Sequence, residues 1–150
     1  KKDAMTKEIS TMLCAKEYEV AEAVGRLKSE QTRMKSQIAE LQQKLLKFCV
    51  AEIPVDEKIV TVFDGSLSGN LPREMMNQLL DKGAVICAVF AGTDEEGYRY
   101  VIGSRSEDVR SISKTLNSTL EGRGGGKPEM VQGSVKGTED AVKEIIARYQ

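Results

Sequence analysis

The sequence predicts an α/β protein: a small domain with a mixed β-sheet and packed helices, preceded by a helical hairpin that contains one long coiled-coil-like helix. Three observations support this prediction. Apolar residues repeat every seven positions before residue 50, short β-branched runs alternate with helical patterns after it, and a glycine-rich stretch lies among the last elements. We therefore expect a helical subdomain at 1–50 and a globular α/β domain at 51–150.

Two helices are predicted in the first subdomain. A short first helix follows from the helical spacing of apolar residues at Met5, Ile9, Met12 and Leu13. From Tyr18 to Phe48 the pattern becomes a heptad, which predicts a second helix of about 30 residues, roughly 45 Å long. Its d positions are Val20, Leu27, Met34, Leu41 and Phe48, and its a positions are Val24, Gln31, Ile38 and Leu45.

The apolar seam of this long helix has to be buried against something. We expect it to pair with a second copy of the chain and form a homodimer, through Val20, Leu27, Met34, Ile38, Leu41 and Leu45. The alternative is that the seam folds back onto its own globular domain. Pro54 cannot continue a helix, so the helix should end at 53–55, where we place the domain boundary.

The elements of the globular domain follow in order from local patterns. β-Branched residues predict a strand at 59–63, Pro72 and Gly83 bound a helix, and the unbroken apolar run at 84–91 predicts a buried strand. The crossover between these two strands should make them parallel. An antiparallel strand at 98–102, a helix at 109–120, a strand at 130–135 and a last helix capped by Thr138 complete the domain.

A glycine-rich loop at 121–133 is the feature around which the rest of the chain is organised. It presents bare backbone between Arg123 and Lys127, an arrangement suited to an anionic partner, although such runs also serve as plain connectors. The spacing fits neither a P-loop, because Pro128 follows Gly126-Lys127, nor a dinucleotide fingerprint, because Gly122, Gly124 and Gly126 miss the G-x-G-x-x-G spacing. We expect this loop at one rim of the sheet.

Charge is unevenly distributed along the chain. Residues 51–98 carry three cations and nine acids, whereas residues 99–136 carry seven cations and four acids. Arg110 and Lys114 lie four apart on a predicted helix, so they share a solvent-facing row that leads towards Arg123. A polyanion would be attracted to this region in a salt-dependent way.

Several classes of chemistry are excluded or disfavoured. The sequence has no His, and its three cysteines (Cys14, Cys49 and Cys87) are far apart, so we predict no metal site and no catalytic residue in this segment. No apolar run is long enough for a membrane span, and we expect a cytoplasmic protein. The sequence begins at Lys1 without an initiator Met, so we expect a piece of a longer protein.

The residues from Gly122 to Gly133 resemble the glycine-rich signature of the C-terminal domain of alanyl-tRNA synthetases. This domain also ends long-form AlaX-type alanyl-tRNA editing proteins, and a diverged form accompanies DHH phosphoesterases. The shared pattern is a glycine run, a basic residue, Pro, an acid, Met and, two residues later, Gln. The order of elements also matches, so the resemblance covers essentially the whole chain.

The resemblance implies a non-catalytic tRNA-binding and dimerisation module, with alanine-accepting tRNA as partner. It implies no cofactor in this segment, and ATP with Mg, or Zn, in the parent protein. The predicted RNA-binding residues are Arg105, Arg110, Lys114, Gly122, Arg123, Gly124, Gly125, Gly126 and Lys127. Two alternatives remain: the substrate-binding domain of a DHH-type phosphoesterase, whose relatives carry His where this chain has Lys127, and a pure oligomerisation element.

Overall fold

The computed structural model describes the backbone of residues 2–150 and the side chains of residues 7–150. The chain divides into two compact units, residues 1–45 and residues 46–150. The first unit consists of helix α1 up to residue 45. The second contains the end of α1, a five-stranded sheet and three further helices.

Helix α1 runs without interruption from Lys2 to Glu52, so the predicted helical hairpin is replaced by a single helix. The segment between the two predicted helices is Cys14-Ala15-Lys16-Glu17, which contains no Gly or Pro and is rich in strong helix formers. A change in the apolar pattern does not by itself break a helix. The predicted stop before Pro54 is confirmed, while Met5 lies outside the side chains described.

The sheet is mixed and has the order β1-β2-β3-β5-β4. Its strands are β1 (Ile59–Phe63), β2 (Ile86–Thr93), β3 (Gly97–Ser104), β4 (Arg123–Lys127) and β5 (Met130–Val135). The predicted parallel pairing of β1 with β2 and antiparallel return of β3 are confirmed. The remaining pairs, β3 with β5 and β5 with β4, are antiparallel.

The glycine-rich segment is a strand rather than the predicted loop. Residues 123–127 pair with β5 across a two-residue turn at Pro128 and Glu129, and β4 forms the outer edge of the sheet. Strand pairing uses backbone groups alone, so a run without side chains can pair when a neighbouring strand is available. The predicted position at the rim of the sheet is confirmed.

Two apolar layers cover the two faces of the sheet. Helix α2 (Leu71–Lys82) and the end of α1 pack on one face, with Leu46, Val50, Met76, Leu79, Cys87, Val89 and Val101 in the layer. Helices α3 (Arg110–Thr119) and α4 (Glu139–Ala147) pack on the other, with Phe90, Tyr100, Ile102, Ile112, Leu116 and Ile145. The predicted α/β class, with a mixed sheet and packed helices, is confirmed.

The helix ends are closed largely as the sequence predicts. Thr138 caps α4 by accepting a hydrogen bond from the Ala141 N–H at 3.2 Å, and Gly83 ends α2 with a positive φ of 125°. At the end of α1, the ammonium of Lys82 donates to the carbonyl oxygens of Val50 and Ala51 at 2.9 and 3.0 Å. Among the described residues, no helix combines the length and the hydrophobicity of a membrane-spanning segment.

Candidate functional site

The glycines of the β4–β5 hairpin allow two backbones to approach closely. A Cβ atom built on Gly124 would lie 2.3 Å from the Gln132 carbonyl oxygen, and one on Gly126 would lie 2.4 Å from the Met130 oxygen. On β5, a Cβ on Gly133 would lie 2.2 Å from the Arg123 oxygen. The fold itself therefore requires glycine at these three positions.

Gly125 differs from its neighbours. A Cβ atom built on it meets nothing within 4 Å, and its φ lies outside the left-handed region. The hairpin therefore does not require glycine here. Gly125 instead faces a shallow groove, and the absence of a side chain leaves that part of the groove floor open.

The groove has a volume of about 440 Å³ and lies between helix α2 and the hairpin. Arg73 and Asn77 line it from α2, and Lys127 and Gln132 line it from the hairpin. Arg105 adds a third cation to the lining, and Glu129 adds one acid. Such a mixture of cations and amides can bind an anion and orient polar groups around it.

Strand register places Arg123 and Lys127 on one face of the sheet. In an antiparallel pair, directly opposed residues point to the same face, and Arg123 lies opposite Ser134 while Lys127 lies opposite Met130. Met130 packs into the α2-side layer, so both cations and Gly125 between them share that face. Both side chains are exposed.

The structure does not bring the predicted basic row of α3 to the same face. Helix α3 packs on the opposite side of the sheet, with Ile112 and Leu116 buried there. Arg110 is bound by Asp108, with Nη2 to Oδ2 at 2.7 Å, and Lys114 is exposed. The role of Arg110 and Lys114 in RNA binding stays a prediction.

The Asp108–Arg110 pair changes the titration of the carboxyl group. Hydrogen bonds from the guanidinium and from the backbone N–H of Arg110 lower the pKa of Asp108 to about 2. Asp108 is therefore ionised at neutral pH and partly neutralises Arg110. Arg105 likewise forms an ion pair with Asp81, although it still lines the groove.

A hydrogen-bonded network lies beneath the glycine strand. The buried Tyr100 hydroxyl contacts the Ser113 hydroxyl at 2.8 Å and donates to Asn117 Oδ1 at 2.9 Å. Asn117 Nδ2 then donates to the Gly124 carbonyl oxygen at 3.1 Å, and the Gly122 N–H donates to the Asn117 backbone oxygen at 2.9 Å. The network fixes the start of β4, and a Cβ on Gly122 would clash with it.

Sequence reasoning missed the groove residues contributed by α2 and β5, namely Arg73, Asn77 and Gln132. Gln132 belongs to the glycine-rich signature but was not assigned to the site, and Arg73 and Asn77 lie in no motif. They meet only because β4 pairs as a strand beside β5 and turns its face towards α2. A loop prediction for residues 121–133 could not place them together.

The described cysteines and carboxylates are relevant to metal and thiol chemistry. Among the side chains described, no group of three or more Cys, Asp or Glu is placed to hold a metal ion. Burial raises the pKa of the Cys87 thiol to about 12, so it is protonated at neutral pH.

Comparison with known proteins identifies relatives of this chain. Residues 56–150 match the DHHA1 domain. The chain is 25% identical over 149 residues to the alanine–tRNA ligase of Psychrobacter sp. (strain PRwf-1), a match that covers 91% of this chain and 16% of the ligase. It therefore spans less than a fifth of the length of that relative.

Two solved structures also resemble the chain. RecJ in complex with Mg²⁺ from Thermus thermophilus matches with a TM-score of 0.61 and 14% identity, covering 80% of this chain and 18% of RecJ. The C-Ala domain from Aquifex aeolicus alanyl-tRNA synthetase matches with a TM-score of 0.49 and 19% identity, covering 63% of this chain and 88% of that domain. The RecJ match indicates a shared fold.

Proposed function

This chain belongs to the DHHA1 domain family, and we propose that it is the tRNA-binding and self-association module of an alanine–tRNA ligase or of a related alanyl-tRNA editing protein. The observation that carries the proposal is the cationic groove beside the glycine strand. It combines Arg73, Arg105 and Lys127 with a bare backbone at Gly125. The relationship to a ligase over 149 residues supports tRNA as the anion.

The groove suits a phosphate backbone better than a compact substrate. It is shallow, its cations come from three separate segments, and RNA is recognised largely through phosphates, sugars and shape. Asn77 and Gln132 offer amide groups that can hydrogen-bond to ribose hydroxyls or base edges. No described side chain in the groove is a His, so acid–base catalysis by imidazole is absent from this proposal.

The test is binding of an alanine-accepting tRNA transcript to the full 150-residue chain. Arg123→Ala combined with Lys127→Ala should weaken binding at low salt. It should also reduce the slope of log affinity against log salt concentration by the amount expected for about two lost phosphate contacts. Arg148→Ala, which removes an exposed cation at the end of α4, is the matched control. Unchanged affinity in the double variant would remove the glycine strand from the binding site.

The second candidate is the substrate-binding domain of a DHH-type phosphoesterase, favoured by the fold shared with RecJ. Competition distinguishes the two. A small nucleotide that displaces tRNA at micromolar concentration would favour the phosphoesterase function, whereas displacement only by long RNA would favour the tRNA module. The resemblance to phosphoesterases leads us to expect His after the glycine run, and Lys127 stands there instead, which favours the tRNA module.

Self-association is supported by the exposed apolar seam of α1. The six predicted dimerisation residues are each 53–64% exposed: Val20, Leu27, Met34, Ile38, Leu41 and Leu45. Phe48 continues the seam at 72% exposure, while Leu46 and Val50, on another side of the helix, are buried. A regular apolar stripe of this length is best buried by an identical helix.

The charges beside the seam favour a parallel pair. Glu30 occupies a g position and Lys35 the following e position, so a parallel, in-register pair sets Glu30 of each copy against Lys35 of the other. An antiparallel pair sets e positions against each other, which brings Lys28 and Lys35 together. The parallel arrangement therefore has attractive contacts where the antiparallel one has repulsive contacts.

Cysteine crosslinking tests both association and orientation. With Cys14 and Cys49 replaced by Ser, a single Val24→Cys should give a disulfide-linked dimer, because a positions face each other only in a parallel pair. Crosslinking only when Val24→Cys chains are mixed with Leu41→Cys chains would indicate an antiparallel pair. A monomer in sedimentation at high concentration would contradict self-association itself.

A further inference from the structure

A second cationic row crosses the sheet next to the groove. Arg99 on β3 lies directly opposite Ser134 on β5, and Ser134 in turn lies directly opposite Arg123 on β4. Directly opposed residues point to one face, so the three side chains form a line across three strands. Neighbouring strands are about 4.8 Å apart, which places the two arginine backbones roughly 10 Å apart with the serine hydroxyl between them.

The row lies on the α2 face but is not covered by that helix. Arg99 is two residues before Val101, and Ser134 is four residues after Met130; both of these apolar residues belong to the α2-side layer. Arg99, Ser134 and Arg123 are nevertheless exposed. The open part of the sheet face therefore begins where α2 ends its contact with the strands.

Neither arginine of the row is neutralised by an ion pair. In the part of the chain that the structure describes, the salt bridges join Arg105 to Asp81, Arg110 to Asp108 and Lys143 to Glu139. Arg99 and Arg123 belong to none of them. Two exposed guanidinium groups that share a face and lack a carboxylate create a local positive potential.

We propose that Arg99, Ser134 and Arg123 form a second phosphate-binding site, which holds the backbone of the same RNA that the groove binds. The inference rests on the proposed function. Guanidinium groups bind phosphate oxygens through paired N–H donors, and the serine hydroxyl can donate between them. Arg123, Gly125 and Lys127 alternate along β4, so the row and the groove are joined by one strand over roughly 13 Å.

The chemistry of this face indicates backbone contact rather than base stacking. The aromatic side chains of the sheet, Phe63, Phe90, Tyr98 and Tyr100, all belong to the layer on the opposite face. Proteins that bind single-stranded bases stack them on exposed aromatic rings. The α2 face offers no such ring on its strands among the described residues, so its contribution is sequence-independent.

The test is tRNA binding by Arg99→Ala at several salt concentrations. Affinity at low salt should fall by roughly fivefold, as expected for the loss of one exposed charge pair. The slope of log affinity against log salt concentration should fall by the amount expected for about one lost phosphate contact. Arg99→Lys should retain the salt dependence, and Ser134→Asp, which places a carboxylate between the arginines, should weaken binding further. Arg148→Ala is the control, and thermal unfolding of each variant reports on the fold.

The results separate this inference from the proposed function. If Arg73→Ala with Lys127→Ala weakens binding while Arg99→Ala does not, the second site is wrong and the groove stands. Weaker binding of Arg99→Ala with an unchanged salt dependence would also overturn the phosphate contact. If none of these changes affects affinity, tRNA binding by this face is wrong altogether.

Discussion

At the scale of single residues, the glycines of the hairpin divide into two kinds. Gly124, Gly126 and Gly133 are required because any Cβ would strike the backbone of the opposite strand. Gly125 has free space around its Cα and faces the groove. A sequence shows five glycines of equal appearance, whereas their neighbours in space decide which serve the fold and which leave room for a ligand.

Alanine substitutions at two neighbouring glycines test this distinction between glycines that the fold requires and a glycine that leaves room for a ligand. Gly125→Ala should change the free energy of unfolding by no more than about 0.5 kcal/mol, as for an unstrained surface site, yet weaken tRNA binding by filling the groove floor. Gly126→Ala should destabilise the protein by about 1–3 kcal/mol, because its methyl group overlaps the Met130 carbonyl. Urea unfolding and gel retardation of both variants provide the measurement. Equal stability of the two would contradict the division.

A titratable pair links the β2–β3 turn to helix α4. Asp94 accepts hydrogen bonds from the Tyr98 hydroxyl and from the Glu139 N–H, and these contacts lower its pKa, with the tyrosine as the larger cause. The same contact raises the pKa of Tyr98 to about 12. The pair should therefore stabilise the fold over the whole range in which Asp94 is charged and Tyr98 is neutral.

The pH dependence of unfolding follows from the signs of these shifts. The Asp94 contribution is present above its unfolded pKa of about 4 and is lost as pH falls through the lower folded value. The Tyr98 contribution is present below about pH 10 and is lost as pH rises towards 12. Asp94→Asn should flatten both limbs of a plot of unfolding free energy against pH. If both limbs of the Asp94→Asn plot are as steep as those of the wild type, the Asp94–Tyr98 contact does not contribute to the pH dependence of stability.

At the scale of elements, the local sequence pattern correctly predicted the helices whose ends depend on local interactions. Helices α2 and α4 were predicted from Pro72, Gly83 and Thr138, because caps and turns depend on a few adjacent residues. The predictions for two elements, α1 and β4, were wrong for opposite reasons. The continuity of α1 follows from helix propensity where the apolar pattern changes, and β4 exists only because β5 lies beside it.

For the candidate site too, the sequence predicted only those residues that are close together in the chain. Arg123, Lys127 and the glycines between them could be singled out from sequence because they are contiguous. Arg73 and Arg99 could not, since they join the site through helix packing and strand register. The sequence places Arg110 in the same row because its helix precedes the hairpin, yet α3 lies on the other side of the sheet.

The junction of α1 with α2 provides a test at this scale. The ammonium of Lys82 donates to three carbonyl oxygens at the end of α1: those of Val50, Ala51 and Ile53. Lys82→Met keeps the aliphatic stem and removes the charge, so it should lower the free energy of unfolding by about 0.5–1 kcal/mol, as expected for a cation at a helix C-terminus. Lys58→Met is the control, and urea unfolding is the measurement. An equal loss in both variants would assign the effect to net charge.

At the scale of the whole molecule, self-association and RNA binding should be coupled. A dimer carries two grooves, and binding of one RNA by both would raise the apparent affinity through effective concentration, provided that the RNA can reach both sites. The exposed seam residues take no part in the groove. Changes in the seam can therefore alter the oligomeric state while the binding residues stay intact.

Leu27→Lys combined with Leu41→Lys should produce a monomer, because it places charges at the centre of the seam. Added lysines also attract RNA, so the comparison is with Ser29→Lys combined with Ser36→Lys, which adds the same charge at exposed positions outside the seam. Relative to that control, the monomeric variant should bind tRNA at least several-fold more weakly when affinity is measured by gel retardation at low protein concentration. If the two variants bind equally while sedimentation shows one monomer and one dimer, each copy binds RNA alone, and the paired helix has a purely architectural role.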